Sequence, residues 1–333
     1  MPLVSVIILN WNGKKLLAAC LDALAAQTFR DFEVVLLDNG SRDGSAEYVR
    51  SQYPWVRLVE SSFNLGFAGG NNRALLSAQG ELIVTLNNDT QVVPEFVQAL
   101  VDAASTDPRI GMVAAKMVNF YDHRKLDSMG IRAAPNAMGY NIGVGEMDHG
   151  QYDAVENLLG PCAGAALYRR ALLEEVGFFD DDFFAYYEDL DLAWRARLAG
   201  WKCALAPAAV VYHIHSATGG RGSPFAVYHI QRNKWYALVK NWPASLIFRK
   251  LLNILAYDVA SFMLAIYQGA GGAAVRARWD ALRHLRALMG KRRKAQALHK
   301  VSADAARRLL SPSESMFQTF KRKARESGRA RGE

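Results

Sequence analysis

The sequence predicts an α/β domain on a doubly wound, mostly parallel sheet, followed by an amphipathic, basic helical appendage. Three observations point there. Over residues 1–115, short apolar runs alternate with helix-length stretches, the order that produces parallel strands joined by crossover helices. The runs are rich in β-branched residues and uniformly apolar, as strands buried on both faces are. After Trp242-Pro243 the composition turns amphipathic and basic.

In chain order, strands are expected at 4–9, 33–37, 56–59, 82–86 and 111–115, with helices at 14–26, 45–52, 70–78 and 94–105 between them. Residues 117–158 are polar and Gly-rich, and read as an insertion or cover. A further helix is expected over about 188–198, and 216–224 reads as a flexible loop. No repeat of the length that builds solenoids is present. The expected organisation is one α/β domain over 1–242, divided near 115, and a helical region over 243–333.

Half of the 333 residues are apolar and 22% are charged, a globular composition. Cys20, Cys162 and Cys203 are scattered and form no CxxC pair, so reduced thiols are expected rather than a disulfide framework or a zinc site. The first residues carry neither a basic leader nor a small-residue cleavage site, and a cytoplasmic protein is expected. Charge is uneven. Residues 276–333 hold 17 Lys/Arg and 5 Asp/Glu, a local net of +12, whereas the rest of the chain is net −4. The tail is therefore expected to meet something anionic.

Ligands on doubly wound sheets bind beyond the carboxyl ends of the strands. Four polar clusters fall there: Asn10-Trp11-Asn12-Gly13, Asp38-Asn39-Gly40-Ser41, the loop from Asn64 to Asn72, and Asn87-Asn88-Asp89. Each alone reads as a turn. Together they form a candidate site: Asp38 can accept from a base N–H, Asn64 and Asn72 can bond ribose, base or neighbouring loops, and the glycines admit close backbone approach. Asp89, just past a buried strand, can hold a hard divalent cation completed by diphosphate oxygens and water.

Two clusters follow. In Phe183-Phe184-Ala185-Tyr186-Tyr187-Glu188-Asp189-Leu190-Asp191, three acids begin a helix after an aromatic run. Helix N-termini favour acids, but capping leaves the aromatics unexplained. A carboxylate held ionised there can take a proton from an attacking hydroxyl. In Tyr212-His213-Ile214-His215, imidazoles precede a glycine-rich loop carrying Arg221. Imidazole suits manganese and related ions, and the loop can close over a diphosphate.

This ordered set resembles the family-2 glycosyltransferases of GT-A fold, and most closely their bacterial rhamnosyltransferase-like branch. The matching elements run from Ser5-Val6-Ile7-Ile8-Leu9-Asn10 through Leu37-Asp38-Asn39, the Asn64–Asn72 loop, Leu86-Asn87-Asn88-Asp89, Gly164-Ala165-Ala166-Leu167-Tyr168-Arg169-Arg170 and Glu188-Asp189-Leu190-Asp191 to Tyr212-His213. The resemblance implies an inverting, single in-line displacement from a dTDP-, UDP- or GDP-sugar, with rhamnose favoured, onto a glycan or lipid-linked acceptor. It implies that Asp38 contacts the base and that Asp89 and His213 hold Mg2+ or Mn2+. Asp189, flanked by Glu188, would be the general base. Asn10, Asn39, Asn64, Gly66, Asn72, Asn88 and Arg221 are the further candidates for the nucleotide-sugar. Two departures stand out: the DxD position reads Asn87-Asn88-Asp89, and Gly70-Asn71 lacks an Arg found in some relatives.

Gln231-Arg232-Asn233-Lys234-Trp235 nearly matches the QxxRW motif of polymerising synthases, but Lys replaces Arg, which is not conservative. Addition of one or a few sugars is expected. Residues 246–267 are apolar, yet Arg249, Lys250, Asn253 and Asp258 argue for an amphipathic helix on the body or at a bilayer interface rather than a span. With the basic tail, this suggests a peripheral protein on anionic lipid at the inner face of the plasma membrane. A sugar-nucleotide pyrophosphorylase would need a Gly/Arg/Lys-rich loop where Asn10-Trp11-Asn12-Gly13 stands. An oxidoreductase would need GxGxxG after the first strand. A nucleic-acid-binding protein fits poorly with an acidic body and no recognisable motif. A catalytically dead binding module is disfavoured by the intact acidic cluster.

Overall fold

The computed structural model describes residues 1–214 and 222–311. Its first half alternates strands and helices: β1 (Val4–Asn10), α1 (Lys14–Ala25), β2 (Phe32–Asp38), α2 (Ser45–Gln52), β3 (Arg57–Glu60), α3 (Gly66–Leu75), β4 (Leu82–Asn87), β5 (Thr90–Val92), α4 (Phe96–Ser105) and β6 (Ile110–Asn119). Then come β7 (Leu126–Ser128), β8 (Ile131–Ala133), β9 (Gly139–Asn141), β10 (Ala165–Arg169), α5 (Arg170–Val176), α6 (Glu188–Leu198) and β11 (Lys202–His213). Five helices follow: α7 (Pro224–Asn241), α8 (Ala244–Tyr267), α9 (Gly271–Arg283), α10 (Leu285–Ala297) and α11 (Ala303–Arg308).

The main sheet runs β3-β2-β1-β4-β10-β6-β11-β5, with β7 on β6. Strands β3, β2, β1 and β4 are parallel throughout, as the alternating pattern predicts. Beyond β4 the sheet is mixed, because β10 inserts antiparallel between β4 and β6 while β6 and β11 run parallel. Side-chain alternation along the strands fills two cores. Ile7, Val35, Leu37 and Ile83 face one core with α3, α5, α6 and α7. Val6, Ile8, Val34, Leu36 and Val84 face the other with α1, α2 and α4. The segment read as a cover contributes β7 and the β8–β9 hairpin over a third, small cluster of Val118, Leu126, Met129, Ile142 and Leu158.

Trp242 is buried with its ring centroid 5.6 Å from that of Trp194 on α6. This contact ties the end of α7 to the sheet-covering layer. The three cysteines are free thiols.

Candidate active site

Parallel pairing sets the ends of β1 and β2 level, so that Asn10 lies opposite Asp38. Asn10 Nδ2 donates to Asp38 Oδ2 at 3.1 Å, and the Ser41 N–H donates to Asp38 Oδ1 at 2.8 Å. Asn88 Nδ2 donates to Asn10 Oδ1 at 2.7 Å. Asn10, Asp38 and Asn88 thus form one buried hydrogen-bonded group that spans three strand ends. Each Asp38 oxygen receives a single internal donor among these contacts and keeps capacity for another.

Asn39, Asn64 and Gly66 form a second group. Asn39 Nδ2 donates to Asn64 Oδ1 at 3.0 Å and to the Gly66 carbonyl at 3.2 Å, while its Oδ1 accepts from the Leu65 N–H at 2.9 Å. Gly66 opens α3 at φ 74°, and a Cβ there would lie 2.5 Å from the Phe184 ring. Both facts require glycine. Asn72 behaves differently. Its Nδ2 donates to the Phe179 carbonyl at 2.7 Å and to Asp181 at 2.6 Å, and its Oδ1 accepts from the Phe179 N–H at 3.2 Å. Both ends of this amide therefore brace α3 against the turn that leads to α6.

Asp89 lies two residues past β4. Its Oδ1 is 3.3 Å from His213 Nε2, at the end of β11. The antiparallel β5–β11 pairing, which sets His213 opposite Thr90, brings the two together. The other ring nitrogen, Nδ1, lies 2.6 Å from Asp127 Oδ2 on β7, and the Asn87 amide lies 3.3 Å from Nε2. Burial by itself would lower the imidazolium pKa, but the hydrogen bonds and charges of Asp127 and Asp89 override it and raise it to about 9. Among the described residues no three His, Cys, Asp or Glu side chains converge as a complete metal cage. Asp89 Oδ1 and, once its ring gives up a proton, His213 Nε2 would nevertheless present two donors to one cation. Two protein donors with substrate oxygens and water are the usual complement for such a cation. These residues fit a divalent metal.

The acids of α6 are separated by their surroundings. Asp191 is fully buried and bound to Arg195 Nε at 2.9 Å, Lys240 Nζ at 2.9 Å and Asn241 Nδ2 at 2.8 Å. Burial opposes its charge, but Lys240 and Arg195 hold its pKa below the usual value. It is a structural anion. Glu188 and Asp189 point elsewhere. Glu188 Oε2 is buried with no hydrogen-bond partner, and burial followed by the Asp189 charge raises its pKa well above the ordinary range. Asp189 is partly exposed; its Oδ2 accepts from the Ala163 N–H at 3.3 Å and its Oδ1 from the Leu190 N–H at 2.7 Å. Burial raises its pKa as well, against these backbone donors. Ala163 precedes Gly164, whose carbonyl accepts from the Asn87 N–H at 2.9 Å. The acidic pair therefore sits beside the strand end that carries Asp89.

The backbone before this pair is contorted. Phe184, Tyr186 and Tyr187 have φ of 61°, 67° and 72°, a region costly for side chains of this size. It is clamped from α7. Asn233 Nδ2 lies 2.9, 2.9 and 2.7 Å from the carbonyls of Phe183, Ala185 and Tyr186, and Arg232 Nη2 reaches those of Asp182 and Phe183. The Phe184 carbonyl accepts from the Phe67 and Ala68 N–H groups. The rest of the QxxRW-like motif faces away: Lys234 and Trp235 both bind Asp258 on α8.

Asp127 and Asn233 escaped the sequence reading. Both sit in segments read for other purposes, and their partners are 86 and about 50 residues away. Arg221, His215 and most of the glycine-rich loop lie outside the described residues.

The comparisons agree with this architecture. The Glycosyl transferase family 2 profile matches residues 5–177. The chain is 30% identical over 249 residues to the N-acetylglucosaminyl-diphospho-decaprenol L-rhamnosyltransferase of Mycobacterium tuberculosis, covering 67% of this chain and 80% of that one. In fold it is similar to the mannosyltransferase PcManGT of Pyrobaculum calidifontis, solved with GDP-Man and Mn2+, with a TM-score of 0.52, 21% identity and coverage of 89% and 86%. It is also similar to residues 1–349 of S. aureus TarS, with a TM-score of 0.55, 19% identity and 92% coverage of both. With a family profile over more than half its length and a relative matched over two thirds of it, this chain is a glycosyltransferase belonging to glycosyl transferase family 2.

Proposed function

We propose that the chain transfers a sugar, with inversion, from a nucleoside-diphosphate donor to a hydroxyl of a lipid-linked glycan acceptor at the cytoplasmic side of a membrane. One observation carries this reading: a partly exposed carboxylate, Asp189, is held through Ala163 and Gly164 beside the end of β4, past which Asp89 meets His213 from the end of β11. A proton acceptor next to a cation-binding pair is what a one-step displacement needs.

In this reading Asp38, Asn10 and Asn88 receive the base and ribose, and the Asn39–Asn64–Gly66 loop shapes that pocket. A divalent cation, Mg2+ or Mn2+, held by Asp89 and His213 would offset the charge that builds on the leaving diphosphate. Asp189 takes the proton from the acceptor hydroxyl as its oxygen bonds to the anomeric carbon. The carbon–oxygen bond to the diphosphate breaks at the same time, and the nucleoside diphosphate leaves with that electron pair. Burial and the neighbouring Asp189 charge raise the Glu188 pKa, which favours the proton on Glu188 and the negative charge on Asp189. The mycobacterial relative favours L-rhamnose as the sugar and a polyprenyl diphosphate-linked sugar as the acceptor.

The test is a donor panel of dTDP-, UDP- and GDP-sugars with Mg2+, Mn2+ or EDTA. It reads nucleoside diphosphate release and donor-induced thermal shift for wild type and Asp189→Asn. Metal-dependent release from one donor, lost in the variant while the thermal shift persists, is the expected result. Neither release nor shift with any donor would overturn the proposal.

A further inference from the structure

The helix α8 is folded inside out for a protein surrounded by water. Phe248, Leu252, Leu255, Val259, Met263 and Ile266 recur at helical spacing along one stripe, and all are exposed, Phe248 and Leu252 to 81%. Such a stripe normally faces a core. Here the inward side carries the polar groups. Asp258 binds Lys234 Nζ at 2.7 Å, Trp235 Nε1 at 3.0 Å and Arg278 Nε at 3.0 Å, and only Leu246, Ile254 and Ala265 are buried. Helix α9, tied to α8 by Arg278 and Asp258, adds further exposed apolar side chains, Trp279 at 60% and Leu282 at 66%.

Basic charge predominates around this face, with the exposed Asp304 of α11 lying 3.9 Å from Arg249. Residues 244–300 contain two acids, Asp258 and Asp280. Both are partly buried and partnered, Asp280 accepting from Tyr228 Oη at 2.7 Å. The exposed charges of the same segment, among them Arg249, Arg276, Arg283, Arg286, Arg293 and Lys294, are all basic. A broad apolar stripe with a Trp and a basic rim matches the interfacial region of an anionic bilayer. A second copy of this chain would bring basic rim against basic rim, and like charges facing each other are unfavourable. The helix is long and apolar enough to cross a membrane, but crossing would tear Asp258 from three partners and expose it to hydrocarbon. Lying flat keeps all of them.

We infer that the outer face of α8, with Trp279 and Leu282 of α9, is a docking surface that inserts into the headgroup region of an anionic membrane. The inference rests on these helices and not on the proposed reaction, although a membrane-borne acceptor makes the surface useful. Tyr257, on the inner side of α8, donates to Met138 Sδ at 2.9 Å, and the neighbouring Gly139 N–H donates to Tyr187 Oη at 3.2 Å. Docking through α8 therefore holds the bilayer close to the residue that precedes the acidic pair.

The test uses the full chain, without donor or acceptor, and vesicles of phosphatidylcholine alone or mixed with phosphatidylglycerol. Wild type is expected to sediment with the mixed vesicles, and brominated lipid should quench fluorescence that is absent in Trp279→Phe. The variant L252E/V259E, altered only at exposed positions, should lower partitioning about tenfold or more with an unchanged melting temperature. R283E/R286E should weaken binding to the mixed vesicles as a second, independent check. Wild type failing to bind the mixed vesicles would overturn the inference. So would L252E/V259E binding like wild type, which would leave the basic segment after residue 311 as the anchor, or a solution dimer abolished by L252E/V259E with vesicle binding unchanged.

Discussion

Asp127 Oδ2 lies 2.6 Å from His213 Nδ1 and so decides which ring nitrogen faces Asp89. A buried carboxylate behind an imidazole fixes its plane and, once a cation displaces the other proton, keeps the remaining proton on Nδ1, and removing such a partner typically costs about 10–100-fold in metal affinity. Asp127→Ala is therefore expected to weaken Mn2+ binding by about that factor, with or without nucleoside diphosphate. Free Mn2+ followed by electron paramagnetic resonance measures it. Unchanged affinity would remove Asp127 from any role in holding the ligand.

The two neighbouring acids of α6 should part company on substitution. Asp189→Asn is expected to lower turnover by about 10²–10⁴-fold while donor binding, read by thermal shift, stays near wild type. Glu188→Gln replaces a group whose proton affinity burial and the Asp189 charge raise, and should retain most activity. Because burial raises the Asp189 pKa, the acid limb of the turnover–pH profile should lie above the usual aspartate range: activity falls as pH drops through the raised value, where the base becomes protonated. An acid limb at the ordinary aspartate value, or a larger loss in Glu188→Gln than in Asp189→Asn, would reverse the assignment.

Local pattern carried the parallel half of the sheet. Runs such as Leu82–Leu86 are apolar on both faces because helices cover both faces, and α6 begins at Glu188 as the acids at its start imply. Helix α3 begins at Gly66, four residues before the predicted start, because the Phe184 carbonyl supplies acceptors to the Phe67 and Ala68 N–H groups. No local signal foretells that partner. The antiparallel insertion of β10, the Asp127–His213 contact and the Asn233 clamp are likewise set by residues far apart in sequence. The clusters Asn10, Asp38, Asn88 and Asp89 were visible as polar residues at strand ends, but that Asp89 meets His213 follows from β5 pairing with β11, a three-residue strand too short to leave a periodic trace.

Asn233 gathers three carbonyls of the left-handed turn before Glu188 onto one fully buried amide. Asn233→Ala leaves those carbonyls without that donor in a strained segment, at about 1–3 kcal/mol for a buried polar group left unsatisfied. A lower melting temperature is expected, together with a fall in kcat larger than any rise in donor KM, because the turn runs directly into Asp189 and reaches the nucleotide loop only through the Phe184 contacts with Gly66, Phe67 and Ala68. Asn233→Asp keeps the shape but replaces the donor with a carboxylate facing carbonyls, and should be worse. Equal effects on kcat and KM, or rescue by Asp, would count against the clamp.

Asp180 joins α10 to this region, with Oδ2 at 2.7 Å from Lys240 Nζ and Oδ1 bound to Lys291. Burial alone would raise its pKa, but Lys240 and then Lys291 pull it down to about 2. A carboxylate whose folded pKa is depressed below the unfolded value of ~3.9 adds stability that is present above that value and lost as pH falls toward the folded one. The contribution at neutral pH is about 2 kcal/mol. Melting temperature should therefore drop steeply between about pH 4 and pH 2. Asp180→Asn should be destabilised at neutral pH and show a shallower acid slope, because the group that titrates there is gone. If the acid slopes of wild type and variant superimpose, the low-pH loss belongs to other carboxylates and the Asp180–Lys240–Lys291 linkage is not a stabilising contact.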